Sequence, residues 1–495
     1  MPASSDPTVR VPGGIVPGVV KDGILHFRDI PYAAAPVGAR RFAEPDRDVR
    51  WEGVLLVETP GANAPQRTRA LPGLDVVPLI GSGWVRGDHH LTLDVLRPAT
   101  EATGLPVMVF IHGGGFLVGS KDAPVQDGAS FARDGIVYVA MNYRMGVDGF
   151  LPIPGVPTNL GLRDMIAGLE WVRDEIAAFG GDPANVTVFG ESAGGMAIAD
   201  LVASPLAKGL FARAIVQSGH GGMTRDIGVA QRLVTKLAGL LTIAPTREGF
   251  AGVDPDAMLD AVEAVSQPTA RIDLRGTDGR EPVFGISKFV PVHGDDVLPQ
   301  PPLEALKAGA GAEVDLLIGS NSEEMKLYLV PTGVREKLGA LLSWFVLRKS
   351  HPRSWATLKA YGLGTRKGGH VLADAMSDLV FRWPARRFAE EHQGRTHVYE
   401  FDWRSPRYDD QLGAAHGMEL GFVFDSLASV TGPEGLCGEA PPQDLADRVH
   451  RIWVDFARDG TLPWAAFDRE TRQVYRLAEG RAVTEAPMPC APFLP

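Results

Sequence analysis

The pentapeptide Gly190-Glu191-Ser192-Ala193-Gly194 sets a serine among small residues, directly after the apolar run 186–189 (VTVF). A serine on a sharp strand-to-helix turn needs such neighbours, because a Cβ two positions either side would clash across the turn. The small-residue run 193–199 then begins a helix, whose N-terminal N–H groups favour negative charge developing at the hydroxyl. Upstream, His112-Gly113-Gly114-Gly115-Phe116 follows a second apolar run, 106–111 (PVMVFI). Acyl transfer requires donors aimed at a carbonyl oxygen as it becomes an oxyanion. Consecutive glycines let backbone N–H groups approach that point unobstructed. Gly114, Gly115 and Ala193 are the expected donors. A phosphate-binding reading competes, since Gly114 and Gly119 have P-loop spacing. The residues that follow are Ser120-Lys121, which inverts the Lys-then-Ser/Thr order that such chemistry uses.

An activated serine requires a base, and the base an orienting acid. After a serine elbow of this kind they come in the order acid, then histidine. His220 and His293 precede the acid candidates. His397 lies inside a strand-like run, and His351, His370, His392 and His450 have polar or helical surroundings. His416 sits in the Gly/Ala-rich loop Gly413-Ala414-Ala415-His416-Gly417, beyond the strand pattern 398–401. From there a base can lean over the carboxyl edge of a sheet. For the acid, the run 314–318 leads into Gly319-Ser320-Asn321-Ser322-Glu323-Glu324. Spacing alone leaves both glutamates open.

The elements that must position these residues read as an α/β fold. Short runs rich in Val, Ile and Phe at 106–111, 136–141 and 186–189 predict strands buried on both faces. Further strands are predicted at 213–217, 314–318 and 398–401. Between the second and third strands, Leu162, Met165, Ile166, Leu169, Val172, Ile176 and Phe179 recur at steps of three and four, and Gly180-Gly181 ends the helix. Strand–helix alternation predicts a large, mostly parallel central sheet covered by helices. The chain is read as one catalytic unit, 1–495, with 225–287 and 330–375 as helical cap or insertion segments. The apolar run 338–347 is too short to span a bilayer and is expected to be a packed helix.

Composition narrows the partners. Forty-nine Lys and Arg against 60 Asp and Glu give a formal charge of −11, which disfavours nucleic acid or an anionic membrane. Two cysteines, Cys437 and Cys490, exclude a disulfide scaffold and a multi-cysteine zinc site. The leading residues Met1-Pro2-Ala3-Ser4-Ser5-Asp6 lack the basic and apolar regions of an export signal, so a cytoplasmic protein is expected. His89-His90 could suggest a metal, but adjacent residues of a strand point to opposite faces. No metal and no cofactor is expected.

Taken together, the sequence resembles the type-B carboxylesterase family, the group that also contains the cholinesterases. The likeness covers nearly the whole chain. It begins at Ile30-Pro31-Tyr32-Ala33 and Pro36-Val37-Gly38-Ala39-Arg40-Arg41-Phe42, and runs through Leu91-Thr92-Leu93-Asp94-Val95 and the His112 loop. It continues with Asn142-Tyr143-Arg144, Phe179-Gly180-Gly181-Asp182-Pro183, the serine elbow and Gln217-Ser218-Gly219. Gly319-Ser320-Asn321, His416 and Trp453 close it. The resemblance implies an α/β-hydrolase fold and a serine carboxylesterase acting on small-molecule esters through an acyl-enzyme. It implies Glu324 as the acid, His416 as the base, and hence a triad of Ser192, Glu324 and His416. Ser218 matches a second serine that orders this network, and Glu191, beside the nucleophile, joins it as a supporting residue. Arg41 with Asp88, and Arg144 with Asp164, match structural ion pairs. Within the resemblance a lipase for longer esters and a non-catalytic adhesion member are the alternatives; a monomer or small homo-oligomer is expected. The sequence departs from the pattern at Ala64 and His90, where the family often joins two cysteines, and at Met325, where a glycine usually follows the acid.

Overall fold

The computed structural model describes residues 7–57, 61–267, 269–281, 286–348 and 351–494. The leading residues 1–6, read above for an export segment, lie outside the described residues. The strands are β1 (Thr8–Val11), β2 (Gly14–Lys21), β3 (Ile24–Pro31), β4 (Thr92–Pro98), β5 (Leu105–Ile111), β6 (Val137–Met141) and β7 (Gly181–Glu191). They continue with β8 (Arg213–Gln217), β9 (Arg225–Asp226), β10 (Val292–His293), β11 (Asp315–Asn321), β12 (Thr396–Phe401), β13 (Gln473–Arg476) and β14 (Arg481–Thr484).

Twelve of these form one sheet in the order β1-β2-β3-β4-β6-β5-β7-β8-β11-β12-β13-β14. From β6 to β13 neighbours pair in parallel, and the flanks, β1 to β4 and β14, pair antiparallel. Alternation along β5 shows why its run is apolar throughout. Val107, Val109 and Ile111 join the core on one face of the sheet, whereas Met108 and Phe110 join the core on the other.

Every strand predicted from the sequence is present, some with longer ends. The run 186–189 is the buried half of β7, and 398–401 is the end of β12. The predicted helix is Leu160–Glu175, tightened into a last 3-10 turn at Ile176–Phe179 and stopped at Gly180, whose φ is +82°. The antiparallel flank was not predicted: β2 carries glycine, proline and exposed Val19 and Val20, and β4 buries Thr92 and Asp94 among its apolar residues, so neither shows a clean apolar run or alternation.

Helices Ile227–Leu241, Arg247–Ala251 and Pro255–Ser266 occupy the first two-thirds of segment 225–287. This excursion opens from β9, which pairs in parallel with β10 just beyond the segment. The second segment, 330–375, holds helices Val334–Lys337, Ala340–Arg348 and Ser354–Ala360 and enters the helix Gly368–Ser377. One expectation fails here. The run 338–347 is not a packed helix: in Ala340–Arg348 only Ser343 and Leu347 are buried, and Leu341, Leu342, Phe345 and Val346 face solvent. Ser343 and Leu347, one turn apart, are its buried positions, so apolar content did not translate into burial.

Candidate active site

The chemistry-bearing residues all lie just past the carboxyl ends of parallel strands, where open α/β sheets gather ligands. Ser192 follows β7, Ser218 follows β8, Glu324 follows β11, His416 lies beyond β12, and the glycine loop follows β5. Ser192 sits between β7 and the helix Ala193–Ala203 at φ +56°, ψ −123°. That conformation is costly for a residue with a side chain, on the order of 1–3 kcal/mol. It is held by Ser192 N–H donating to Gln217 O at 2.9 Å and by close packing at the glycines. A Cβ on Gly190 would lie 2.5 Å from Ile111 O, and one on Gly194 would lie 2.0 Å from the same oxygen.

Ser192 Oγ is 2.8 Å from His416 Nε2, and His416 Nδ1 is 2.6 Å from Glu324 Oε2. Glu324 is fully buried, and its other oxygen accepts from Ser218 Oγ at 2.6 Å and Asn321 N–H at 2.8 Å. With both oxygens bonded, the carboxylate has one orientation. Of the two adjacent glutamates, Glu324 is the one that reaches His416. Glu323 instead bonds Lys326, Arg404 and Ala414 N–H, and those bonds outweigh its burial and hold its carboxyl below the usual range. Met325, where a glycine was anticipated, has an ordinary helical φ of −70°, and its N–H donates to Ser377 Oγ at 3.0 Å. The turn after Glu324 therefore needs no glycine.

The glycine loop packs against the serine: a Cβ on Gly113 would lie 3.1 Å from Ser192 Cβ. Gly114 has φ +103° and Gly115 +65°, conformations that favour glycine. Among the described residues, no backbone carbonyl accepts from the N–H groups of Gly114, Gly115 or Ala193. His112 anchors the loop, stacked on Tyr143 with ring centroids 4.5 Å apart, while Tyr143 Oη donates to His112 O at 2.8 Å. Burial lowers His112 to about 4, so it stays neutral.

Two further carboxyls surround His416. Glu191 Oε1 is 3.1 Å from His416 Nε2, and burial pushes Glu191 up to about 8. Burial pulls the imidazole down, but Glu191 and Glu324 outweigh it and raise His416 to about 9. The imidazole thus lies between two carboxyls, Glu324 hydrogen-bonded at Nδ1 and Glu191 close to Nε2, and both favour its charged form. Glu419, which sequence reasoning missed, is buried and pushed up to about 7, chiefly by desolvation. It accepts from Asn321 Nδ2 at 2.6 Å and from Gln217 Nε2 at 3.3 Å. Its signal was available: a lone acid in the apolar stretch after His416.

Ser192, His416 and the three glycines open onto a cavity of about 890 Å³, walled by apolar side chains including Leu117, Met196, Met258, Leu259 and Phe381. The Phe381 ring lies 4.7 Å from the His416 ring. Away from the cavity, Arg144 and Asp164 form the expected buried pair, with Nη2 2.6 Å from Oδ1. Arg41 does not pair with Asp88. It reaches the half-buried Asp148 at 3.2 Å, whereas Asp88 is exposed to solvent. His89 and His90 precede β4 in a loop and do not lie in a strand; His89 is exposed and His90 buried. Lys121, from the P-loop-like spacing, is buried with its Nζ 2.7 Å from Asp94 and 2.9 Å from Asp29, so it neutralises an internal acidic cluster.

Residues 5–488 match the model of the carboxylesterase family. The chain belongs to that family. The para-nitrobenzyl esterase of Bacillus subtilis is 34% identical over 479 residues, 93% of this chain and 92% of its own. Liver carboxylesterase of Sus scrofa is 32% identical, over 90% of this chain and 83% of its own. Among solved structures, a PNB esterase superposes with a TM-score of 0.81 at 30% identity, covering 95% of both chains. A carboxylesterase of Geobacillus stearothermophilus superposes with a TM-score of 0.80 at 30% identity, covering 95% of this chain and 96% of its own. The fold of this carboxylesterase-family chain is that of the α/β-hydrolases. Among its described residues no helix is long and apolar enough to cross a membrane.

Proposed function

We propose that this carboxylesterase-family enzyme hydrolyses carboxylic esters of small molecules through an acyl-serine intermediate, with Ser192, His416 and Glu324 as its triad. The observation that carries the reading is the unbroken series of hydrogen bonds from Ser192 to His416 to Glu324, opening onto an apolar cavity. Ser192 Oγ attacks the ester carbonyl carbon as its proton passes to His416 Nε2. Glu324 keeps the imidazole in the tautomer that accepts there and stabilises the imidazolium. The carbonyl oxygen, now negative, accepts from the N–H groups of Gly114, Gly115 and Ala193. The tetrahedral intermediate expels the alcohol, which takes the proton from His416. Water then attacks the acyl-serine by the same route and releases the acid. Ser218 supports this as a positioning residue, since it bonds the Glu324 oxygen that does not face His416.

The mechanism requires nothing beyond the chain and water. We read the chain as one catalytic unit with 225–287 as a cap, since Met258 and Leu259 line the cavity, and 330–375 as a helical insertion. A reducing, cytoplasmic location fits two cysteines that are both free and buried. Ser192→Ala is expected to lower turnover of a p-nitrophenyl ester by roughly a millionfold and to abolish fluorophosphonate labelling. Retention of most of the activity would refute the assignment.

A further inference from the structure

The helix Ala340–Arg348 turns its apolar side outward. Leu341, Leu342, Phe345 and Val346 are 72%, 56%, 50% and 40% exposed. At positions i, i+1, i+4 and i+5 they make one continuous stripe. Trp355, 41% exposed on the adjoining helix Ser354–Ala360, extends it, its ring edge-on to Trp344 with centroids 6.3 Å apart. Contiguous apolar surface with a polar rim marks an interaction site on a soluble chain.

The rim here has one sign. Lys337, Arg348, Arg353 and Lys359 are exposed, the Arg348 guanidinium lying 4.7 Å above the Trp344 ring and the Lys359 ammonium 6.0 Å from Trp355. The nearby carboxylates are already engaged: Glu336 with Lys367 and Arg335, and Asp374 with Arg366. From residue 335 to 367 the sequence carries eight Lys and Arg against the single acid Glu336, a net +7 within a chain of net −11. The overall acidity, which argued against an anionic membrane, conceals a cationic and aromatic face.

We propose that this face docks on the surface of a lipid bilayer containing anionic headgroups. Leucine, phenylalanine and tryptophan side chains enter the boundary between headgroups and acyl chains, while the surrounding cations lie at the level of the phosphates. With no helix among the described residues able to span a bilayer, the attachment is peripheral. A second copy of the chain is a poorer occupant. A two-fold contact sets the patch against itself, so its unneutralised cations would face one another. The placement also has a use: the excursion departs near Leu327 and Tyr328 of the cavity wall and returns to that wall at Val380 and Phe381. Docking would hold this insertion, and the cavity wall it joins, against a phase in which apolar esters accumulate.

The test is flotation of the full-length enzyme with vesicles of phosphatidylcholine alone, or of phosphatidylcholine mixed with phosphatidylglycerol, at low and high salt. The enzyme should float with the mixed vesicles at low salt and be released by high salt or by omission of phosphatidylglycerol. Leu341→Glu with Leu342→Glu, and separately Arg348→Glu with Lys359→Glu, should each lower partitioning by at least about tenfold. Both pairs should keep wild-type turnover of a soluble short-chain ester without vesicles, which verifies their folding. The proposal is overturned if the wild type stays unbound to phosphatidylglycerol vesicles, or if both double variants bind as well as it does. It is overturned equally if light scattering finds a wild-type dimer that Leu341→Glu with Leu342→Glu dissolves, which would make the face a contact between copies.

Discussion

Gly194→Ala tests the elbow most sharply. The new Cβ would lie 2.0 Å from Ile111 O, 2.8 Å from Ile111 C and 2.9 Å from His112 O, all of them backbone atoms of the neighbouring strand and loop. Cβ contacts below 3.0 Å do not occur in real structures, so the elbow and β5 must separate by about 1 Å. No side-chain rotation relieves the contact. The shift falls on Ser192 and on Ala193 N–H at one end, and on the loop of Gly113, Gly114 and Gly115 at the other. A misplacement near 1 Å at the reacting atoms costs about a hundredfold, or about 2.7 kcal/mol of transition-state stabilisation. The assay is kcat/KM on p-nitrophenyl acetate, with circular dichroism melting to separate loss of chemistry from loss of fold. Gly239→Ala is the matched control. Gly239 lies in the helix Ile227–Leu241 with nothing within 4 Å of an added Cβ. Alanine there should leave kcat/KM unchanged and stabilise by about 0.5–1 kcal/mol. A folded Gly194→Ala enzyme within about threefold of wild-type kcat/KM would refute the argument from close approach.

Glu191→Gln should move the acid limb of the kcat/KM profile to lower pH. The base must be neutral to act, the Glu191 carboxylate raises His416, and glutamine removes that effect while Glu324 remains; a limb that stays in place or moves up contradicts this electrostatic effect. Arg144→Met should destabilise by about 3–5 kcal/mol, seen as a lower urea midpoint, because fully buried Asp164 loses its cation. Adding Asp164→Leu should recover most of that loss, and equal midpoints for single and double variants would exclude this origin.

Much of the candidate site was legible because its rules are local. Gly190 and Gly194 flank Ser192 within five residues, and a serine among small residues after an apolar run marks the turn by itself, although the clash that keeps both glycines small is with Ile111 O of β5. The glycine loop is equally short. The buried parallel strands were visible for a related reason: an apolar run on both faces needs a layer on each side, as β5 has. Matters of pairing were less legible. Two adjacent glutamates differ by one position in sequence. Yet Glu324 reaches His416 across 92 residues while Glu323 turns to Lys326 and Arg404.

By itself, then, the sequence determined the serine turn, the glycine loop and the buried strands, since each follows from sterics or periodicity within a short window. Only the tertiary structure decided the rest. It assigned Arg41 to Asp148 and Lys121 to its acidic cluster, brought Glu419 beneath the site, and left the helix Ala340–Arg348 facing water. Ion-pair choice and burial depend on which distant segments meet, and no local window contains that information.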